Sequence, residues 1–293
     1  MAYNNSIALA EKYVPLLDEV YKLASLTSDL DGAPELVRQG ANANELIIPK
    51  MSMDGLADYS RNGGYVDGAV TLTNETVACN FDRGRMFQVD NLDNEETAGV
   101  AFGRLAGEFI RTQVAPELDA FRFATYASAT GVSTASATLS NGSLAIAALR
   151  AATTQMDEDE VPFENRILYI TPTIKGMIDD LDTTKSREVL KRFSKIVEVP
   201  QTRFYTAITQ KDGTSSGQTG GGYAKASGAK DINFMVIHKD AVIQFQRHVA
   251  PKIVTPDQNQ SADAWKYGYR NVGIAEVYEN KVAGVYFHTK GSA

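Results

Sequence analysis

NEETAGVAFGRLAGEFIRTQVAPELDAFRFATYA, residues 94–127, places Phe102, Leu105 and Phe109, then Leu118 and Phe121, at the spacing of an apolar helix face. Asn94 opens the segment, and Glu95 and Glu96 fill its first turn, where carboxylates complement the helix dipole. At about 1.5 Å per residue, a helix of ~34 residues spans roughly 50 Å, longer than a small domain is wide. Pro116 predicts a kink near Ala115. Gly99, Gly103 and Gly107 recur every fourth residue on one face, although each costs about 1 kcal/mol relative to alanine. That spacing predicts close approach by a sheet or a neighbouring subunit, and Gly103→Leu is expected to block folding or assembly. Arg104, Glu108 and Arg111 interrupt the segment and exclude a membrane-dimer motif.

Outward from this helix the pattern changes. From Leu46 to Asp90, short alternating segments occur at Ile47-Ile48, Val70 to Thr73, Val77 with Cys79 and Phe81, and Phe87 with Val89. Asn62-Gly63-Gly64 and Asp82-Arg83-Gly84 are turn signals between them. The pattern predicts an extended β ribbon or hairpin. A two-stranded ribbon is marginally stable in water, so one this long requires a surface to lie on. Residues 7–26 put Tyr13, Leu17, Val20, Tyr21 and Ala24 at helical spacing, with Pro15 bending or restarting the helix. This arm has an apolar face and no core of its own.

Downstream, residues 143–156 read as a helix followed by the acidic run Asp157 to Glu160. The strand Ile167 to Ile170 leads into Thr171-Pro172, an N-cap and first-turn proline, and a helix to about Leu181. A basic helix is expected over Ser186 to Lys195. Alternating strand and helix predicts a compact α/β subdomain. Residues 210–230, QKDGTSSGQTGGGYAKASGAK, are rich in Gly and Ser and read as a flexible surface loop. Further strands are expected at Asn233 to Ile237, Val242 to Phe245, Tyr269 to Val277 and Val282 to His288.

Composition bounds what such a chain does. A formal charge of −7, from 29 Lys and Arg against 36 Asp and Glu, argues against a surface that wraps phosphate tightly, because that binding needs clustered cations. An acidic wall is compatible with DNA held loosely inside a container. Cys79 is the only cysteine, so an intrachain disulfide is impossible and the usual paired Cys and His zinc site cannot form. This suits a reducing cytoplasm. MAYNNSIALAEKY has no basic stretch ahead of an apolar run, and nowhere do ~18 apolar residues follow one another, so neither export nor membrane spanning is expected.

Signals for chemistry are sparse. Gly220-Gly221-Gly222 is not followed by the Lys-Ser/Thr of a phosphate cradle, and a mobile loop is the simpler account. His238, His248 and His288 are far apart, and neither Gly-x-Ser-x-Gly nor His-Glu-x-x-His occurs. Carboxylates as close in sequence as Asp157 to Glu160 more often form a solvated cap than a cation site. No catalytic residue, metal ligand or cofactor is expected. A cytosolic α/β enzyme using the Asp157 to Glu160 carboxylates is the remote alternative.

GLADYSRNGGYVDGAV at 55–70, DRGRMFQVDNLDNEET at 82–97, EVPQTRFYT at 198–206 and INFMVIHKDAVIQFQRHVAPKIVTPDQNQSADAWKYGYR at 232–270 resemble the major capsid proteins of tailed bacteriophages. That family has the Hong Kong 97-type capsid fold, shared with encapsulin compartments. The resemblance implies an α+β chain with an N-terminal arm at 1–45, an extended β loop at 46–91, a spine helix and peripheral domain at 92–139, and an axial subdomain at 140–250. C-terminal strands at 251–293 would return to the peripheral domain. It further implies a virion shell subunit, made and assembled in the bacterial host cytoplasm. Such a subunit partners itself in hexamers and pentamers, works with scaffolding and portal proteins, and encloses double-stranded DNA without sequence-specific binding or membrane contact. The ribbon of one subunit would lie over the spine helix or peripheral sheet of the next, with axial subdomains meeting around capsomer centres.

Asp58, Tyr59, Arg61, Tyr65 and Asp67 are the expected intersubunit contacts, and Gly99, Gly103 and Gly107 the expected close-packing helix face. The shared pattern begins within the first few residues, so no large scaffolding segment is expected to be cleaved from this chain. The rival among structural proteins is an encapsulin-like compartment enclosing a cargo enzyme.

Overall fold

The structure, a computed structural model, describes residues 25–32, 38–39, 45–96, 104–181 and 184–291. The expected arm helix at 7–26 therefore falls almost wholly outside the described residues, as do Gly99 and Gly103.

In chain order, a short strand β1 (Arg38–Gln39) precedes the two long strands β2 (Glu45–Met53) and β3 (Val70–Ala78), and these three form one antiparallel sheet in that order. β2 and β3 are the expected ribbon, in register from Glu45 opposite Ala78 to Met53 opposite Val70. The ribbon ends at Ala78. The next strand, β4 (Phe81–Asp90), pairs elsewhere.

Helix α1 (Asn91–Glu96) starts three residues earlier than the sequence predicts. Beyond 97–103 the helix runs without a break from Leu105 to Ser128, in three parts: α2 (Leu105–Phe109), a π-helical turn (Ile110–Val114) and α3 (Ala115–Ser128). Next to Pro116, where the sequence predicts a kink, the helix carries this widened turn. Ala115 donates its N–H to the Ile110 carbonyl, five residues back, and Pro116 enters the first turn of α3, where a missing N–H costs nothing.

After β5 (Ser133–Ala137) comes α4 (Gly142–Glu158), capped by the Asn141 side chain, whose Oδ1 accepts the Leu144 N–H at 3.0 Å. Strand β6 (Arg166–Ile170), helix α5 (Pro172–Asp179) and helix α6 (Thr184–Leu190) follow. The basic helix predicted to reach Lys195 stops at Leu190. Phe193 turns into the core, the Ser194 amide bonds the Arg166 carbonyl at 2.9 Å, and Lys195 already opens β7 (Lys195–Glu198). Pairing with β6 outweighs helical propensity there. A small hairpin, β8 (Ile208–Gln210) with β9 (Tyr223–Lys225), carries the glycine-rich loop.

The last strands are β10 (Ile232–His238), β11 (Val242–Val254), β12 (Ala264–Val277) and β13 (Val285–Lys290). They divide between two sheets. One is antiparallel in the order β11-β12-β4; the other has five strands in the order β5-β13-β10-β6-β7, so β13 lies inside it.

Every residue of β6 and β10 is buried, as a sheet covered on both faces requires. On one face Leu168, Phe234 and Val236 pack under α4 and α5 with Leu149, Met156 and Ile178. On the other, Tyr169, Met235 and Ile237 meet Phe123 and Tyr126 of α3 together with Ala275 and Val277 of β12, so one apolar cluster joins the two sheets.

A buried ionic knot ties residues 25–32 to this cluster. Asp119 of α3, fully buried, accepts hydrogen bonds from the Ser25 and Thr27 hydroxyls, the Leu26 amide and the Arg203 guanidinium, all within 3.0 Å. Arg122 donates to the Thr27 hydroxyl at 2.8 Å, and the Gln244 amide to the Thr27 carbonyl at 2.6 Å.

Candidate assembly surface

The ribbon presents an apolar face with no core beneath it among the described residues. Side chains alternate along each strand, so Met51 stands opposite Leu72 and Met53 opposite Val70 on one face, while Ser52 and Thr71 take the other. Those four apolar side chains are 58–68% exposed. Alternation of this kind is the signature of a half-buried strand, and here none of the described residues supplies the burying surface.

All five residues expected to contact a neighbour, Asp58, Tyr59, Arg61, Tyr65 and Asp67, lie exposed at the ribbon's end, between β2 and β3. The tip is built rather than loose. Ser60 and Gly64 exchange backbone hydrogen bonds of 3.2 and 2.8 Å, the Ser60 hydroxyl accepts the Gly63 N–H, and Gly64 takes φ +78°. The Tyr59 and Tyr65 rings meet edge to face, 4.9 Å between centroids. Asp54 closes the loop, accepting the Ala69 N–H at 2.8 Å. Beside the tyrosines, Leu56 and Val66 are also exposed. The sequence reading named the Val70 to Thr73 alternation but not Met51, Met53, Leu56 or Val66, although Met51-Ser52-Met53 alternates in the same way.

At its root the ribbon is anchored. Val77 is buried with Ile243 and Ile274. The Asn80 amide donates to the Ala275 carbonyl at 2.7 Å while its oxygen accepts the Ala275 N–H at 3.1 Å, so a side chain imitates the next rung of the sheet where ribbon gives way to β4.

Gly107, the one described member of the glycine face, is exposed, and a β-carbon there would meet nothing within 4 Å. Among the described residues, no sheet packs against this position. The tight glycine contacts are elsewhere, at Gly142 against the Met177 carbonyl and at Gly84 against the Tyr269 carbonyl.

The glycine-rich loop, expected to be free, is clasped. Arg83 of β4 donates to the Lys211 carbonyl at 2.7 Å and the Gly222 carbonyl at 3.3 Å, closing the loop's neck, and its Nε bonds Glu117 of α3 at 2.7 Å. Arg85 donates to the Thr219 carbonyl at 3.1 Å. Gly221, at φ +67°, passes beneath the Arg85 guanidinium. Between α2, the π turn, β4, β12 and this loop lies a cleft of about 440 Å³, walled by Phe87, Phe109 and Tyr269 at one end and by Arg83 and Asn271 at the other.

Of the acidic run, Asp157 is committed to arginine, and Asp159 accepts the Gln155 amide. Asp157 accepts from Arg166 and Arg192, both at 2.7 Å. Burial pushes its pKa upward, but these two guanidiniums outweigh that and hold it below the usual carboxylate range. His238 and His288 are buried in separate parts of the sheet, and burial lowers both pKa values.

No protein-family model matches the chain, and no curated protein matches it in sequence. Solved structures do match. The chain is similar to the structure of Mycobacterium phage Che8, with a TM-score of 0.64 at 15% identity over 98% of each chain. It is similar to the mature capsid of bacteriophage PhiM1, with a TM-score of 0.68 at 13% identity, over 97% of this chain and 92% of that one. The chain has the Hong Kong 97-type capsid fold. A virus-like particle from Pyrococcus furiosus also matches, with a TM-score of 0.53 at 12% identity over 90% of this chain and 97% of that one. At such identities the capsid fold is held by pattern and packing, with few residues in common.

Proposed function

We propose that this chain is the major capsid protein of a tailed bacteriophage: a structural subunit, without catalytic activity, that assembles with copies of itself into an icosahedral shell around double-stranded DNA. One observation carries the reading, the apolar ribbon face of Met51, Met53, Val70 and Leu72 standing exposed beside a prebuilt tip. A surface of that kind is covered in the working molecule, and in a homo-oligomer with closed symmetry the cover is another copy. The similarity in fold to phage capsids supports the same conclusion. On this reading the ribbon and tip are the extended loop, residues 105–128 the spine helix, the three-stranded sheet the peripheral domain and the five-stranded sheet the core of the axial subdomain. Hexamers and pentamers are the assembling units, scaffolding and portal proteins their partners, and the virion their destination.

The test is electron microscopy of the expressed chain, alone and with a scaffolding partner. Closed particles are expected, and nuclease-resistant DNA in particles from infected cells separates a genome container from a cargo compartment. A protein that stays monomeric at high concentration in both preparations would sink the reading.

A further inference from the structure

We propose that Asn62, at the tip of the ribbon, is a site of spontaneous chemical modification, where the side-chain amide is lost and the main chain is rerouted through the side chain as isoaspartate. The chain contains two Asn-Gly pairs, Asn62-Gly63 and Asn141-Gly142. In such a pair the glycine nitrogen attacks the asparagine side-chain carbonyl, because no β-carbon shields that nitrogen and the glycine backbone turns freely. A bond forms from the Gly63 nitrogen to Asn62 Cγ, the Cγ–Nδ2 bond breaks, and ammonia leaves with the proton that the Gly63 nitrogen gives up. Water then opens the cyclic imide. Opening at Cγ leaves aspartate; opening at the main-chain carbonyl leaves isoaspartate, with an extra methylene in the backbone. The net change consumes a water and releases an ammonia, with no oxidant or reductant.

The structure separates the two pairs. Asn62 and Gly63 are both exposed, and the Asn62 side chain has no hydrogen-bond partner among the described residues. A β-carbon on Gly63 would meet only the Ser60 side chain, at 3.4 and 3.5 Å, so the attacking nitrogen stands in open surroundings. Asn141 is held. Its Oδ1 caps α4 through the Leu144 N–H at 3.0 Å, and Gly142 is buried, with the Met177 carbonyl 2.1 Å from where a β-carbon would stand. Cyclisation there must give up the cap and turn a backbone that has no room to move. At the tip a single contact restrains the reaction: the Gly63 N–H donates to the Ser60 hydroxyl at 3.1 Å. The nitrogen must leave that bond and shed its proton to attack, so the Ser60 hydroxyl sets the pace.

The consequence for assembly, unlike the chemistry, rests on the proposed function. Ser60 and Gly64 are joined across the modified residue by two backbone hydrogen bonds, and Tyr59 and Tyr65 meet just outside them. An extra methylene between Ser60 and Gly64 enlarges that ring and undoes the turn. The tip, residues 54–69, already carries Asp54, Asp58 and Asp67 against the single cation Arg61, and the reaction adds a further carboxylate. An aged subunit therefore offers its neighbour a reshaped and more acidic tip.

Peptide mapping by mass spectrometry, on the purified chain aged in warm, mildly alkaline buffer, tests the site. Asn62 is expected to convert, mainly to isoaspartate, more than about tenfold faster than Asn141. Ser60→Ala is expected to speed the conversion by roughly two- to tenfold, the range set by one lost hydrogen bond. Equal rates at Asn62 and Asn141 overturn the site, and an unchanged rate in Ser60→Ala overturns the restraint. Light scattering then follows assembly. Aged wild-type protein is expected to lose assembly in proportion to the fraction converted. Asn62→Gln, whose longer side chain closes a larger ring far more slowly, is expected to assemble after ageing as it does when fresh. Converted subunits that assemble as fast as fresh ones overturn the effect on assembly. A fresh chain that forms no particles overturns the shell reading and that effect with it, while the mass readout still decides the modification.

Discussion

Asp119 is the most exacting residue of the fold. It is fully buried, and four donors from two separate parts of the chain, residues 25–27 and the buried Arg203, converge on it. Asp119→Ala leaves Arg203 without its carboxylate in a site from which water is excluded, and a cost of about 3–5 kcal/mol is expected in urea unfolding. His288 sets a pH dependence. Its ring stacks on Phe234 at 5.1 Å and, when neutral, accepts the Asn233 amide at 3.1 Å. Burial lowers its pKa below the ordinary value of 6.5, and that of His238 likewise. A base with a depressed folded pKa stabilises the fold fully above its unfolded pKa, and that stability is lost as pH falls through the folded pKa. The denaturation midpoint is therefore expected to drop between about pH 7 and pH 5, and His288→Asn to flatten the drop.

Among the elements, α4 and α5 meet at a contact that tolerates no side chain. A β-carbon on Gly142 would stand 2.1 Å from the Met177 carbonyl and 2.7 Å from Leu181. Gly142→Ala is expected to cost about 1–3 kcal/mol and to raise hydrogen exchange in α5. Elements whose signal is local were legible in the sequence. The ribbon strands showed their two-residue alternation, and α4 and β6 appeared within a residue or two of their ends. What depends on distant partners was not legible. Nothing near Phe193 announces that the helix must end for β7 to reach β6, and no local cue assigns β4 to β12 rather than to the ribbon. The glycine loop looked free because its composition is permissive; the arginines that hold it lie well over a hundred residues away in sequence. The site was legible only in part: the charged and aromatic tip residues stand together at the ribbon's end, whereas the cleft beside Asn271 is formed by tertiary packing alone.

At the scale of the molecule, the proposed function puts folding and assembly on different apolar surfaces. Met51 and Leu72 touch no core among the described residues, so the pair of changes Met51→Ser and Leu72→Ser is expected to leave the unfolding free energy within about 0.5 kcal/mol of wild type while abolishing particles under the microscope. The position of β13 adds a matter of timing. This strand is made after all the others, yet it stands between β5 and β10, parallel to the first and antiparallel to the second. While the ribosome is still translating, the ribbon has emerged but the five-stranded sheet lacks one of its three inner strands. A nascent subunit therefore displays its sticky ribbon before it owns a finished body, and only release of β13 turns it into a building block. A stop codon at Val285 is accordingly expected to give insoluble protein, measured by fractionation of the lysate, rather than a slightly shortened subunit.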